Sequence, residues 1–373
     1  MKFIPLIVLL SLLTSVSLAQ NIEIIPAGNS SENDVRTFSF DQSSLRIQGN
    51  SLIVSGSGNQ VHLDRSHSYD ISGRGSFLGV IHFAADLRTT VIDGRGQSVG
   101  NTELTYFDPD DETLMIRMLN DGSFVTRDNV ANFSFFDSDG TLSYQVSNSS
   151  GSLGGEALSE MAADPSGKTI LLYNPRINFD EGQGSRARII MAEDETIDVF
   201  YSRSRTLKYA DVTENGSFLI LITEQEGRED EVLILDRFGN EIAAMTTGEE
   251  LVGATLSEDA RNLTIFSSNR VQVYRVTDME RLGSSSFRTR INYAVYNERD
   301  QQILALSGQI DGNNRISNPE FHAVHLGKRS IARTEVGFPI SFLDDSRIEV
   351  KRTGTNRFTV DGLNRVLSIQ TYF

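Results

Sequence analysis

Few side chains in this 373-residue sequence combine the type and the spacing that chemistry needs. His322 and His325 stand three apart in "HAVH". On a strand, side chains at i and i+3 point to opposite faces, so that pair does not share a metal ion. His62, His67 and His82 are scattered through the first quarter of the chain. The one G-x-S-x-G match, "GQSVG" around Ser98, would need a strand–turn–helix elbow to expose a nucleophile, and no helical pattern follows it. The acidic runs "DPDDE" (108–112) and "DSDG" (137–140) offer carboxylates. A calcium loop, however, needs oxygen ligands at alternating positions and a closing bidentate carboxylate. Both runs read instead as Asp- and Gly-bearing hairpin turns. Cysteine is absent, which removes disulfides, thiolate metal sites, Cys nucleophiles and a lipidated N-terminal Cys together. No phosphate loop, dinucleotide fingerprint or triad spacing is present. The expectation is therefore no catalytic residue, no metal ligand and no cofactor.

What remains is recognition. Polar segments rich in Arg, Asn and Asp occur at 174–187 ("NPRINFDEGQGSRA"), 307–320 ("SGQIDGNNRISNPE"), 223–230 ("TEQEGRED") and 120–131 ("NDGSFVTRDNVA"), with a Gly/Ser-rich stretch at 147–156. All five read as loops longer than a connection requires, and such loops tend to carry function on a rigid scaffold. The candidate ligand-binding residues are Asn174, Arg176, Asn178, Asp180, Arg186, Arg228, Asp311, Asn313 and Arg315. The guanidinium fork suits carboxylates and sugar hydroxyls, so a polar ligand or a charged protein, peptide or glycan fits better than a greasy one.

The elements that must position these residues are strands. Short alternating or apolar runs of Val, Ile, Phe, Tyr and Leu are separated by Gly, Asn, Asp and Ser. One module recurs, a strand, a tight acidic turn and a strongly apolar strand, at 104–119, 160–173, 209–222, 253–266, 293–306 and 339–351, with a looser copy at 69–83. The first apolar residues after the turns are Phe77, Leu114, Ile170, Phe218, Leu263, Ile303 and Ile348, a mean gap near 45 residues. A second hairpin follows most copies, as in "LILDRFGNEIAAM" (233–245). Four strands per ~40–50 residues is the period of a propeller blade.

Through its strand–"DPSGK"–strand element and its "LDRFGNE" hairpin, residues 35–373 resemble the β-propeller superfamily in the loose WD40-like, YVTN-like and TolB-like sense. The absence of Trp and of a Gly-His/Trp-Asp pairing sets the chain apart from WD40 proper. The resemblance implies an all-β propeller of four-stranded antiparallel blades. The seven copies point to seven blades, with six or eight as alternatives. Residues 35–65 could complete a blade shared with the C-terminus or form an eighth. In such a fold the a–b and c–d turns lie on one face and the b–c and d–a connections on the other. The long segments all fall on the second face, which makes it the expected binding surface. Propeller enzymes place their sites at the mouth of the central channel, so a lactonase-like or glycan-cleaving hydrolase or lyase is the competing reading.

Residues 1–19 carry Lys2, a short apolar core at 4–13 and small residues at Ser17 and Ala19, the layout of a signal peptide cleaved before Gln20. Residues 20–34 read as a linker. The apolar stretch is shorter than a spanning helix needs, and no later segment approaches that length. Acidic residues outnumber basic ones by 50 to 34, with no basic run, which argues against nucleic acid and anionic membranes as partners. The expectation is a monomeric bacterial protein, periplasmic or secreted.

Overall fold

The computed structural model describes residues 22–26 and 35–371, apart from 41–42, 49–50, 57, 73–75, 105–113, 129–131, 147–157, 193–194, 299–300, 311–314, 327–330, 336–339, 342–348, 353–356 and 363–364. The described residues form strands and turns in eight antiparallel sheets, each built on a path of four strands. Sheets 1 to 7 take residues 35–63, 66–103, 115–146, 160–202, 206–247, 251–286 and 291–335, and in each the strands lie side by side in chain order, named a to d here. Sheet 8 joins the chain ends. Its strands a to c are Glu349–Arg352, Arg357–Gly362 and Arg365–Thr371, and its strand d is Ile22–Pro26, with Ile24 opposite Ile369.

Each of the seven recurring modules becomes one sheet, and residues 35–63 form a sheet of their own. The eighth blade left open by the sequence is therefore present. The segment 20–34, read as a linker, contains the closing strand. Ring closure pairs the first described strand with the last and so ties the two ends of the ring into one sheet.

Two modules sit out of register with the reading above. In sheet 3, strand a is Met115–Met118 and strand b is Phe124–Arg127, so the a–b turn is 119–123 rather than the acidic run 108–112, which lies outside the described residues. Asn120-Asp121-Gly122 outcompetes it as a turn because Gly122 takes φ of +90°, at no steric cost only for glycine. Residues 120–127 of the segment read as a loop are consequently a turn followed by a strand, and 129–131 lie outside the described residues. In the last module Glu349–Arg352 is strand a instead of strand b, and Ile340–Ser341 pairs with strand c of sheet 7.

The middle strands are apolar on both faces because each sheet is sandwiched between two others. In sheet 5, Leu219, Leu221, Leu233 and Leu235 pack towards sheet 4, while Ile220, Ile222, Val232 and Ile234 on the same two strands pack towards sheet 6. Six such clusters link sheets 1 to 7 pairwise, so the core is distributed around the ring. The fourth strands are largely exposed and form the rim. Five of them carry a register shift, in sheets 2 to 6. Bulges on outer strands twist the edge away from intermolecular pairing.

The acidic turns have a structural role. Asp164 accepts hydrogen bonds from the Thr169 and Ser166 amides, at 2.6 and 2.9 Å, and Thr213, Ser257 and Ser72 hydroxyls close the same turn in other sheets. These turns also tie neighbouring sheets together. The Asn120 amide donates to Pro165 O at 2.7 Å, Thr169 Oγ1 to Gly216 O at 2.7 Å, and Asn215 Nδ2 to Glu258 O at 2.7 Å. The result is a chain of contacts on one face, running from sheet 3 to sheet 6.

Candidate interaction face and channel mouth

Two of the segments read as loops are paired strands. Strands b and c of sheet 4, Ile170–Phe179 and Gly182–Ala192, run on past the end of strand a and turn at Asp180 and Glu181. Pro175 misleads sequence reasoning here. It sits where the register shifts between Asn174 and Ile177, a position that tolerates a residue without an N–H. Sheet 7 makes a similar extension with Gln302–Ile310 and Arg315–His325. Both arms project from the face that carries the b–c and d–a connections. A paired ribbon holds its side chains with less entropy loss on binding than a loop would.

The structure brings most of the candidate residues to this face, though several are already occupied. Asn174 Oδ1 caps the Arg176 amide at 3.0 Å, and Asn178 Oδ1 accepts from Gln183 Nε2 at 3.1 Å. Arg176 is exposed and lies 3.7 Å from Glu224 on sheet 5. Asp180 is exposed at the arm's turn. Arg186 is not available as a fork, because it already holds Asp198 on the adjacent strand through Nε and Nη2, at 2.8 and 3.0 Å. That pairing, Arg186's hydrogen bond foremost, keeps the Asp198 carboxyl below the usual carboxylate range despite partial desolvation. Arg228 is exposed in the b–c turn of sheet 5, one sheet along from the arm. Arg315 lies in strand c of sheet 7, opposite Ser341. Asp311 and Asn313, and the stretch 147–156, fall outside the described residues.

Sequence reasoning missed the arm's aromatic cluster. Phe179 and Tyr201 meet edge to face with centroids 6.2 Å apart, and the Arg203 guanidinium sits 5.4 Å over the Phe179 ring. Arg203 Nε donates to the Tyr201 hydroxyl at 3.3 Å. Tyr201 remains 46% exposed, one of the few large apolar side chains at the surface. The strand alternation of Ile177 and Phe179 was the available signal, hidden by Pro175. Behind the cluster, Arg205 donates to Thr223 Oγ1 at 2.7 Å and to Glu229 O at 3.2 Å. Lys208 reaches Asp230 at 3.2 Å, and Asp230 also accepts the Leu251 amide at 2.8 Å. These contacts fix the base of the face.

Two of the histidines, His82 and His322, are buried against hydroxyl partners. His82 Nε2 lies 2.8 Å from Thr90 Oγ1, and His322 Nε2 lies 2.7 Å from Ser307 Oγ beside the Phe287 ring. Burial holds both imidazoles below their ordinary value, with Arg88 adding to the effect at His82. His322 is buried and His325 half-buried, so the two do not share an environment. Ser98 opens an outer strand opposite Ile92. Asp137 and Asp139 accept from Ser143 Oγ and the Thr141 amide, as turn residues do.

On the opposite face, the first strands of sheets 3 to 7 converge around a cavity of about 110 Å³. Its lining joins Arg117, Asp211, Glu214, Glu258 and Tyr293 with Met118, Val212, Ile220 and Leu256. Asp211 caps the Val212 amide at 2.8 Å and accepts from Tyr209 OH at 3.2 Å. Five sheets meeting at one cavity identify it as the mouth of the central channel. Its residues run from Arg117 to Val295, 178 positions apart, which no local pattern could connect.

A sheet ring of this kind, with inner strands lining a channel and outer strands forming a rim, is a β-propeller, and known structures agree. The C-terminal WD40 domain of Sif2 is similar over 95% of this chain and 99% of its own, with a TM-score of 0.53 at 10% identity. BamB from Moraxella catarrhalis is similar over 93% and 100%, with a TM-score of 0.53 at 13% identity. The β-propeller domain of Cps50 (Swd1) from Myceliophteria thermophila is similar over 83% and 97%, with a TM-score of 0.52 at 12% identity. No family model and no curated protein sequence matches the chain. At such identities the likeness establishes the fold: a β-propeller of four-stranded antiparallel blades.

Proposed function

We propose that this protein is an exported, non-catalytic β-propeller of the bacterial envelope that holds a protein or peptide partner on the face bearing the sheet 4 arm. The observation that carries this reading is the Phe179–Tyr201–Arg203 cluster, set on a paired ribbon with Tyr201 in solvent. Tyr, Phe and Arg dominate the energetic centres of protein interfaces. On the same face, Arg176 of the arm and Arg228 of the sheet 5 b–c turn add guanidinium groups suited to carboxylates on the partner. Residues 1–19 act as the export signal, cleaved after Ala19, and the mature chain works as a monomer.

Photo-crosslinking tests the reading. Benzoylphenylalanine is placed at position 201, or at position 238 on the opposite face, in the protein expressed in its native cells, and adducts are identified by mass spectrometry. A protein adduct from position 201 and none from 238 supports the reading. Adducts from 238 alone refute it, and a glycan adduct at 201 moves the partner class. N-terminal sequencing of the mature protein should begin at Gln20.

The cavity favours one alternative, a hydrolase or lyase using Arg117, Asp211, Glu214, Glu258 and Tyr293 at the channel mouth. Turnover of a lactone or polysaccharide, lost in Asp211→Asn, would replace the binding reading with this one.

A further inference from the structure

The channel mouth has a polarity that the arm face lacks. Its wall is largely apolar: half-buried Leu256, Tyr293 and Val295 line it, backed by Met118, Val212 and Ile220, which are packed into the clusters between blades. Its lip is acidic. Glu214 and Glu258 sit in the a–b turns of sheets 5 and 6, half-buried and exposed respectively, with half-buried Asp211 one step below them. Asp164 is wholly buried and committed to its turn amides. Among the described residues, Arg117 is the only cationic side chain in the lining. The acidic groups and Arg117 already engage neighbours, so the lip is an ordered polar network around an open space. The hydrogen bonds between a–b turns, such as Asn215 to Glu258 O, hold that network in place.

An apolar pocket under a carboxylate rim matches one ligand shape: an aliphatic chain ending in a positive charge. Lysine and arginine side chains have this form, with a hydrocarbon stem that buries and a charged head that stays near water. A cavity of about 110 Å³ takes a stem of roughly four carbons, since a cavity of ~150 Å³ accepts a benzene ring. A carboxylate ligand would meet the acidic rim and be repelled.

We propose that the channel mouth is a binding site for an alkylammonium or alkylguanidinium group, as presented by a Lys or Arg side chain or by a free aliphatic amine. The site lies on the face opposite the arm and does not depend on the function proposed above. It gives the propeller a second recognition surface with its own chemistry.

Met118 supplies the probe, because it is one of the residues lining the cavity, with its side chain packed just behind the wall against Gly79 of sheet 2. Mature protein carrying ¹³C-methyl methionine is titrated by NMR with n-butylammonium, n-butanol and butyrate, and the Met118 signal is assigned with Met118→Leu. Butylammonium should shift the Met118 methyl saturably and bind about tenfold tighter than butanol, with butyrate weakest. Glu214→Gln with Glu258→Gln should weaken butylammonium about fivefold, and salt should weaken it further. The other methyl signals report whether the double variant keeps its fold; if it does not, the exposed Glu258→Gln alone serves. Acetyl-Gly-Lys-Gly-amide distinguishes the sources: binding comparable to butylammonium assigns a peptide side chain, and exclusion assigns a free amine. Equal binding of butanol, tighter binding of butyrate, or no effect of the glutamine variants overturns the proposal.

Discussion

Replacing Asp70 by alanine tests how the ring is held together. Asp70 lies in strand a of sheet 2 and is 4% exposed. Its Oδ2 accepts the Met118 amide of sheet 3 at 2.7 Å, a contact between blades 48 residues apart in sequence. Alanine leaves that buried amide without its acceptor. A hydrogen bond to a charged group contributes about 1.5–3 kcal/mol, and an unsatisfied buried donor costs a similar amount. Asp70 engages other groups as well, so the alanine cost does not fall below that range. With unfolding entropy near 2.1 cal/mol/K per residue, a domain of this size should lose about 2–4 °C of Tm. Asparagine keeps an acceptor oxygen and should lose about half as much. Calorimetry of the mature protein reads both shifts, and hydrogen exchange at the Met118 amide should speed up in Asp70→Ala. An alanine variant within ~0.5 kcal/mol of wild type would refute the reasoning, because surface changes are of that size. An asparagine variant as damaged as alanine would show that charge, not the acceptor, matters.

Three further outcomes follow from the same geometry. Because the chain has no cysteine, Ile24→Cys with Ile369→Cys can form only the disulfide that closes sheet 8. It should oxidise within the monomer and stabilise by up to about 5 kcal/mol, while Ile24→Cys with Val366→Cys, three residues out of register, should stay reduced by mass spectrometry. Burial lowers His82 and His322 below 6.5, so the unfolded chain takes up protons first on acidification. Urea titrations should show full stability above about pH 6.5 and a fall below it of up to ~1.4 kcal/mol per pH unit for each histidine, smaller in His82→Gln. A Cβ on Gly100 would collide with the Ser138 carbonyl in the next blade's c–d turn, so Gly100→Ala should cost about 1–3 kcal/mol in chemical denaturation.

The blades were legible because their physics is local. A strand packed on both faces must be apolar throughout, and Phe218–Glu224 and Asp230–Asp236 read that way without any knowledge of their neighbours. The turns were legible because Asp, Ser and Thr cap amides two to five residues away. The blade count required pairing Ile22–Pro26 with Arg365–Thr371, a contact between chain ends that leaves no local pattern. Sheet 3 was misread because two turn signals lie close together and only the second contains a glycine. The arm was misread because polar composition and Pro175 imitate a loop, whereas the register shift at that point accommodates the proline. Arg186 looked available because its partner Asp198 is twelve residues away and comes within reach only once the strands pair, where it stands opposite Arg188. The cavity draws on five sheets and lay beyond reading by sequence.

The binding face is the central claim, and the most direct measurement is the affinity of the partner crosslinked at position 201 for a propeller with a shortened arm. Residues 175–185 are replaced by Asn-Gly, which joins Asn174 to Arg186 in their existing register. The fold should persist, with a cooperative melt close to wild type. Partner affinity should fall about 100-fold, and Tyr201→Ala alone should account for roughly 30-fold of that. Unchanged affinity in a folded, shortened-arm protein would contradict the account.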